Sequence, residues 1–243
     1  VYKRQVLLRF DFVVFQQNLI GHELQFAAFL MPLAILAILV GSAVAMYEYN
    51  LKRLLAYSSV AQIGYILLGA SLVSIGGLSA SLLHMFNHAL AKGALFLAVM
   101  GLAMRFAQLD LRQLGGAARH MPWTAAAMAV AGLSLIGIPG TAGFISKWYL
   151  VDAVLDKGIP GLALVAVIVA GSLMAVVYIW RIVEALWFAE ETENTPQGVR
   201  EAPAMMLALI WLAALANIYF GLATELPREL ATVSAESLMG HLP

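Results

Sequence analysis

Long apolar segments that alternate with short polar turns are the feature that most constrains this chain. Six segments have a length suited to a lipid bilayer, since a helix needs about 20 apolar residues to cross the hydrocarbon core. With 62% hydrophobic and only 12% charged residues, the chain lies far from the balance of a soluble domain. We therefore predict an all-α polytopic membrane protein, with expected spans at 24–46, 54–75, 77–104, 123–155, 161–188 and 203–222.

The two ends of the chain fit this pattern less well. Residues 1–20 are apolar but carry charges, and we interpret them as a partial transmembrane helix. The chain starts at Val1 without a signal-peptide pattern, so we expect a piece of a longer protein. Residues 223–243 are predicted to be a polar tail. The sequence has no cysteine, which excludes disulfides and thiolate metal sites. Its net charge of zero gives no reason to expect a nucleic-acid partner.

The distribution of basic residues predicts the orientation. Basic side chains are concentrated on alternate connections between spans, whereas the other connections carry only Lys157 and the tail residue Arg228. Loops rich in lysine and arginine stay in the cytoplasm. The connections expected there contain Lys52, Arg53, Arg105, Arg112, Arg119 and Arg200.

Two histidines and a lysine occur at regular spacing within one apolar span. His84, His88 and Lys92 are each four residues apart, so they share one face of a helix and extend over about 12 Å. Ionisable groups at this depth indicate function, and imidazoles beside an amine suit proton transfer. Alternatively, Lys92 pairs with a carboxylate of another helix. A metal site at His84 and His88 is disfavoured, because neither a third ligand nor the glutamate of an HExxH motif is present.

A second lysine lies beside a predicted break in a helix. The segment 139–143 reads PGTAG and divides the span 123–155, with Lys147 shortly after it. Helix breaks at membrane depth are tolerated where protein or water covers the unpaired backbone, and transporters place ion sites there. The alternative is a re-entrant or extramembrane segment whose lysine extends to the interface.

Other polar residues carry weaker signals. Lys52 and Arg53 most simply set the topology, although a basic pair at a helix entrance could also act as a cytoplasmic-side accessory that collects protons. The sequence contains no phosphate-binding glycine loop and no hydrolase triad. We therefore predict no catalytic residue and no metal site in this chain.

Three segments in order resemble one family of membrane subunits. Residues 50–65 read NLKRLLAYSSVAQIGY, similar to the "(D/N)-L-K-R-x-L-A-Y-S-S-x-x-Q-x-G-Y" segment of the antiporter-like subunits. These are shared by respiratory complex I, membrane-bound hydrogenases and Mrp-type cation/proton antiporters. Residues 84–96 resemble the family's "H-x-x-x-H-A-x-x-K-x-x-L-F" helix, and 137–148 its broken helix ending in "G-F-x-S-K". The form GFISKWYL, preceded by MPW, is most similar to the D-type component of the Mrp-type antiporters.

The resemblance implies a fold and a function. Residues 24–188 would be the second of two inverted five-helix repeats, with the broken helix 123–155 as its fourth helix, followed by the final span. Lys147 would be the terminal ionisable residue of a half-channel, and Lys92, His88 and His84 its central relay. We expect a bacterial inner-membrane subunit of a cation/proton antiporter that exchanges Na⁺ or K⁺ for protons, binds other subunits and needs no cofactor. The alternatives are a proton-pumping subunit of a complex I-like or hydrogenase-like enzyme, and a scaffold whose charges only hold helices together.

Overall fold

The computed structural model describes residues 23–191 and 200–240, in which most residues are helical and strands are absent. The predicted partial helix at 1–20 lies outside these residues. Two backbone hydrogen bonds join residues 49–51 to the loop 105–116. The Leu51 N–H donates to the Leu109 carbonyl (2.8 Å), and the Leu111 N–H donates to the Tyr49 carbonyl (2.9 Å). The helices are α1 (Glu23–Tyr47), α2 (Leu51–Ala70), α3 (Ile75–Ala103), α4 (Ala117–His120), α5 (Pro122–Ile136), α6 (Ala142–Leu155), α7 (Ile159–Val183, continued by a π-helical turn Glu184–Phe188), α8 (Ala204–Leu222) and α9 (Glu225–Met239).

Four helical segments of the described residues are long and apolar enough to cross a membrane: Phe29–Tyr47, Ile75–Ala103, Ile159–Phe188 and Ala204–Leu222. The two other predicted spans are α2 and the pair α5–α6. α2 has 20 residues but begins with Leu51, Lys52 and Arg53 and carries polar side chains along one face. α5 and α6 are each too short to span alone, with 15 and 14 residues.

Small residues allow α1 and α2 to pack closely. A Cβ added at Gly64 would lie 2.8 Å from the backbone of Ala34 and Ile38, and one added at Gly41 would lie 2.8 Å from the Ala61 nitrogen. Close approach through small residues is how membrane helices gain packing energy without a hydrophobic driving force. This packing fixes the position of α2, whose opposite face contacts α3.

The break between α5 and α6 is shifted slightly from the sequence-based prediction. α5 ends at Ile136, two residues before the predicted Ile138, because Gly137 adopts a left-handed conformation (φ 91°) that terminates the helix. Gly140 also has a positive φ, 87°. α6 then begins at Ala142 rather than Phe144. The two half-helices are therefore separated by only five residues, 137–141.

The segment predicted as a polar tail contains a helix. α9 packs against α3 through Pro227, Ala231 and Ala235, which are buried and spaced four residues apart. The Ser79 and Thr232 hydroxyls are 3.1 Å apart across this contact. The charged residues of α9 lie between these small apolar positions, which is why its overall polarity concealed the helix. The spacing of the small residues was the available signal.

Candidate functional site

The three ionisable residues of α3 lie in the interior of the bundle. His84, His88 and Lys92 are only 2%, 4% and 6% exposed. The two imidazole rings stack with centroids 6.4 Å apart and planes inclined by 9°. The shared face expected from the four-residue spacing is therefore present. Its His84 contacts α2 and α6, and its Lys92 contacts α2.

Lys92 is bound by the N-terminal half of α2. Its amine donates hydrogen bonds to the Leu55 carbonyl (2.7 Å) and to the Ser58 hydroxyl. The Phe96 ring, one turn further along α3, lies 5.7 Å from the same nitrogen. The carbonyl, the hydroxyl and the aromatic face partly offset the free-energy cost of removing the ammonium group from water.

His84 connects α3 to two other helices. Its Nδ1 is 2.9 Å from the Ser146 hydroxyl of α6, and its Nε2 is 3.0 Å from the Gln62 side-chain oxygen of α2. Tyr65 packs against the imidazole with an edge-to-face geometry at 5.5 Å. Since both ring nitrogens are engaged by protein groups, a metal ion at His84 would have to displace one of them.

Lys147 caps the end of the first half-helix. A helix ends with carbonyls that lack intrahelical donors and carry partial negative charge. The Lys147 amine donates to two of these carbonyls, those of Leu135 (3.2 Å) and Ile136 (2.8 Å), and to the Ser172 hydroxyl of α7 at 3.0 Å. Its side chain is 7% exposed. The break therefore supplies the acceptors that allow an amine to be buried here.

Asn217 of α8 holds the two half-helices at the break. Its side-chain nitrogen donates to the Ala213 carbonyl (2.7 Å), which directs its oxygen toward Ser134. The Ser134 hydroxyl donates to that oxygen (2.8 Å) and accepts from the Gly143 N–H (3.2 Å). Asn217 is completely buried. This chain of bonds links α8 to the last turn of α5 and the first turn of α6, which places Lys147 against the α5 carbonyls.

Tyr65 lies between the two parts of the site. Its ring contacts His84 on one side, and the Lys147 amine lies 4.8 Å from the ring centroid on the other. Its hydroxyl donates to the Ile168 carbonyl at 3.3 Å. Ser146 and Lys147 are consecutive on α6, so His84 and Lys147 are connected both through Tyr65 and along α6. The structure thus brings all four predicted relay residues into one interior polar region.

Lys52 and Arg53 are not part of that region. Both side chains are exposed at the start of α2, where Asn50 accepts hydrogen bonds from their backbone N–H groups at 3.1 and 3.2 Å. They lie about one helical turn from Leu55, whose carbonyl binds Lys92. Their suggested accessory role stays a prediction.

The partners of the ionisable residues were not predicted from the sequence. Ser58, Gln62 and Tyr65 follow the spacing i, i+4, i+7 and therefore form one polar face of α2. Ser146 and Ser172 carried no periodic signal, because each contacts the site from a different helix.

Comparison with known proteins identifies similar chains. A family model described as "NADH:quinone oxidoreductase/Mrp antiporter, TM" matches residues 7–175. NADH-quinone oxidoreductase subunit N of Desulforudis audaxviator is 39% identical over 204 residues, which are 79% of this chain and 40% of that relative. A chain of the Mrp complex from Dietzia sp. has a TM-score of 0.79 and 26% identity, covering 87% of this chain and 47% of that one.

The same fold occurs in respiratory complex I from Thermus thermophilus. One of its chains matches with a TM-score of 0.84 over 98% of this chain and 50% of that chain, at 23% identity. The chain therefore spans between about two-fifths and half of the length of these three proteins.

Proposed function

Because the chain belongs to the NADH:quinone oxidoreductase/Mrp antiporter transmembrane family, we propose that it is a proton-translocating subunit of a multisubunit membrane complex. Lys147, His84, His88 and Lys92 carry the protons. The observation that supports this proposal is their shared burial in one polar region, with exposed fractions between 2% and 7%. Ionisable groups at such depth are expensive and accordingly mark ion pathways.

The chemistry of the contacts also favours proton transfer over a purely structural role. The hydrogen-bond partners of Lys147 are carbonyls and a hydroxyl, so the amine can lose its charge without leaving a buried carboxylate unpaired. A lysine with a purely structural role would instead be expected in an ion pair with a carboxylate. Neutralising such a lysine is costly, because it leaves the buried carboxylate without a partner. His84 bridges the two lysine-containing parts, and imidazole can accept and release a proton near neutral pH.

The test replaces the two lysines by arginine in the full-length protein within its complex. Arginine retains a positive charge and hydrogen-bond donors but does not release its proton at physiological pH. We expect Lys92→Arg and Lys147→Arg to abolish proton translocation in membrane vesicles, measured per assembled complex. The exposed Lys157 provides the matched control, since Lys157→Arg should leave translocation unchanged. Wild-type translocation in both interior variants would leave only the scaffold function.

For the assembly, a complex I-like NADH:quinone oxidoreductase is the first candidate. It is supported by the names of similar proteins, among them subunit N of NADH-quinone oxidoreductase at 39% and 36% identity. The cation/proton antiporter is the second candidate, supported by the similarity to a chain of an Mrp complex. The finer prediction, a D-type component of an Mrp antiporter that exchanges Na⁺ or K⁺, stays a prediction.

Purification of the intact complex from its native membrane separates these candidates. A complex I-like assembly should retain flavin and iron–sulfur absorbance from partner subunits and couple NADH oxidation to proton translocation. An antiporter should lack those absorbance bands and should move protons only when a gradient of Na⁺ or K⁺ is applied. Proton movement driven by a cation gradient in a preparation without redox centres would overturn the first candidate.

A further inference from the structure

The three groups that bind the Lys147 amine differ in what they can do with a proton. The Leu135 and Ile136 carbonyls only accept hydrogen bonds. The Ser172 hydroxyl, 3.0 Å from the amine, can accept a hydrogen bond or donate one. A protonated amine needs three acceptors, whereas a neutral amine has two hydrogens and one lone pair. Ser172 is the partner that suits both states.

We propose that Ser172 is the relay residue through which Lys147 exchanges its proton, an inference that rests on the proton translocation proposed above. In the protonated state, all three N–H bonds of Lys147 point to its partners. One N–H bond then breaks as a new O–H bond forms at Ser172, whose original proton passes to a water molecule. The products are a neutral amine and a hydronium ion. The amine keeps its bonds to the two carbonyls and accepts one from Ser172.

The location of Ser172 suits this step. Lys147 is buried, whereas Ser172 is only half-buried on α7, so Ser172 is the more exposed of the two residues. Backbone carbonyls cannot replace it, since they have no proton to pass on. Ser172 is therefore the group through which a proton can leave Lys147 with the least movement of the surrounding helices.

The contacts around Ser172 keep it against the amine. The Tyr65 hydroxyl donates a hydrogen bond to the Ile168 carbonyl, about one turn before Ser172. Gly171, the preceding residue, makes room for Tyr65, since a Cβ there would overlap the tyrosine oxygen. α7 is thereby held close to α2 at the level of Lys147.

His84 shows the same combination of partners. Its Nε2 faces the Gln62 oxygen, which only accepts, and its Nδ1 faces the Ser146 hydroxyl. Ser146 can donate to the neutral ring, or accept from the protonated ring and turn its own hydrogen toward the Gly143 carbonyl at 3.2 Å. Lys147 and His84 thus each combine fixed acceptors with one hydroxyl that can donate or accept.

The experiment compares side chains of equal shape at position 172 in the full-length complex. Ser172→Thr keeps a hydroxyl, and Ser172→Val has the shape of threonine without it. We expect the valine variant to translocate protons about tenfold more slowly than the threonine variant. This effect is smaller than the loss on removing a general acid or base, because a water molecule can partly replace the serine hydroxyl. Translocation is measured in membrane vesicles and divided by the amount of assembled complex.

Two further variants complete the experiment. Ser71→Ala is the control, because the Ser71 hydroxyl is buried and bonds a local carbonyl, that of Leu68, at 2.7 Å. It should translocate protons as the wild type does. Equal translocation by the threonine and valine variants, with Lys147→Arg inactive, would overturn the role of Ser172 and leave the proposed function intact. Wild-type translocation by Lys147→Arg would overturn both.

Discussion

Lys92 and Lys147 are both buried amines, but the helices around them accommodate the charge differently. Lys92 lies on the unbroken helix α3, so its carbonyl partner must come from another helix. That carbonyl, Leu55, also accepts hydrogen bonds from the Ser58 and Ser59 hydroxyls, each at 2.9 Å. Lys147 lies beside a break that leaves two carbonyls without helical donors. The carbonyl that binds Lys92 thus has other hydrogen-bond donors. The two carbonyls at the end of α5, in contrast, depend on the Lys147 amine as their donor.

The largest expected effect concerns the close contact at the break. A Cβ at Gly143 would overlap the Ser134 carbonyl oxygen, so Gly143→Ala must separate α5 from α6. We expect a loss above about 4 kcal/mol in the free energy of unfolding, since overpacking and broken hydrogen bonds combine. The measurement is the amount of assembled complex and its thermal unfolding. Gly140→Ala is the control: a Cβ there meets nothing within 4 Å, so only about 1 kcal/mol of backbone strain is expected.

Removing the amines tests the comparison directly. Lys147→Met leaves the Leu135 and Ile136 carbonyls without a donor in the membrane interior, at about 1–3 kcal/mol for each unsatisfied group. Lys92→Met should destabilise less, because the Leu55 carbonyl keeps its serine donors. Both variants remove a buried charge and recover its desolvation cost. The difference between the unfolding temperatures of the two variants therefore measures the cost of leaving the Leu135 and Ile136 carbonyls without a donor. Equal decreases in unfolding temperature would contradict the distinction between the two lysines.

Asn217 should matter for the broken helix alone. Asn217→Ala leaves the Ser134 hydroxyl without its acceptor, which costs about 1–2 kcal/mol in a buried site. The Ser134 hydroxyl can then turn away from the Gly143 N–H, which loosens the contact between α5 and α6. Because Lys147 is positioned by that contact, we also expect slower proton translocation. Thr232→Ala on α9 removes a half-buried hydrogen bond away from the site and serves as the control. A greater loss from Thr232→Ala would show that α8 does not position the break.

The smallest effect is expected next to Lys92. A Cβ at Gly93 meets nothing within 4 Å, and alanine is favoured over glycine in a helix interior by about 1 kcal/mol. Gly93→Ala should therefore leave translocation unchanged and raise the unfolding temperature slightly. Destabilisation by this variant would mean that α3, like the broken helix, requires its glycine.

The family and the location were predictable from the sequence, because both follow from local patterns. The three motifs at 50–65, 84–96 and 137–148 led to the antiporter-like family, which the match over residues 7–175 confirms. The chain is a multi-pass inner-membrane protein, in agreement with its apolar helices. The assignment to a D-type component of an Mrp antiporter rested on a few residues around GFISKWYL and is not confirmed. Differences among subunits of one family are too small for such a short segment to resolve.

The sequence by itself determined the apolar helices, the approximate place where one of them breaks, and that Lys92, His84 and His88 share a face. These depend on residue type and on the spacing of neighbours along the chain. Only the tertiary structure decided that the histidine face meets the Ser58, Gln62 and Tyr65 face of α2. It also decided that Lys147 caps the helix before its own. Such contacts join residues distant in sequence, and their geometry depends on how closely small residues such as Gly64 and Gly143 let the helices approach.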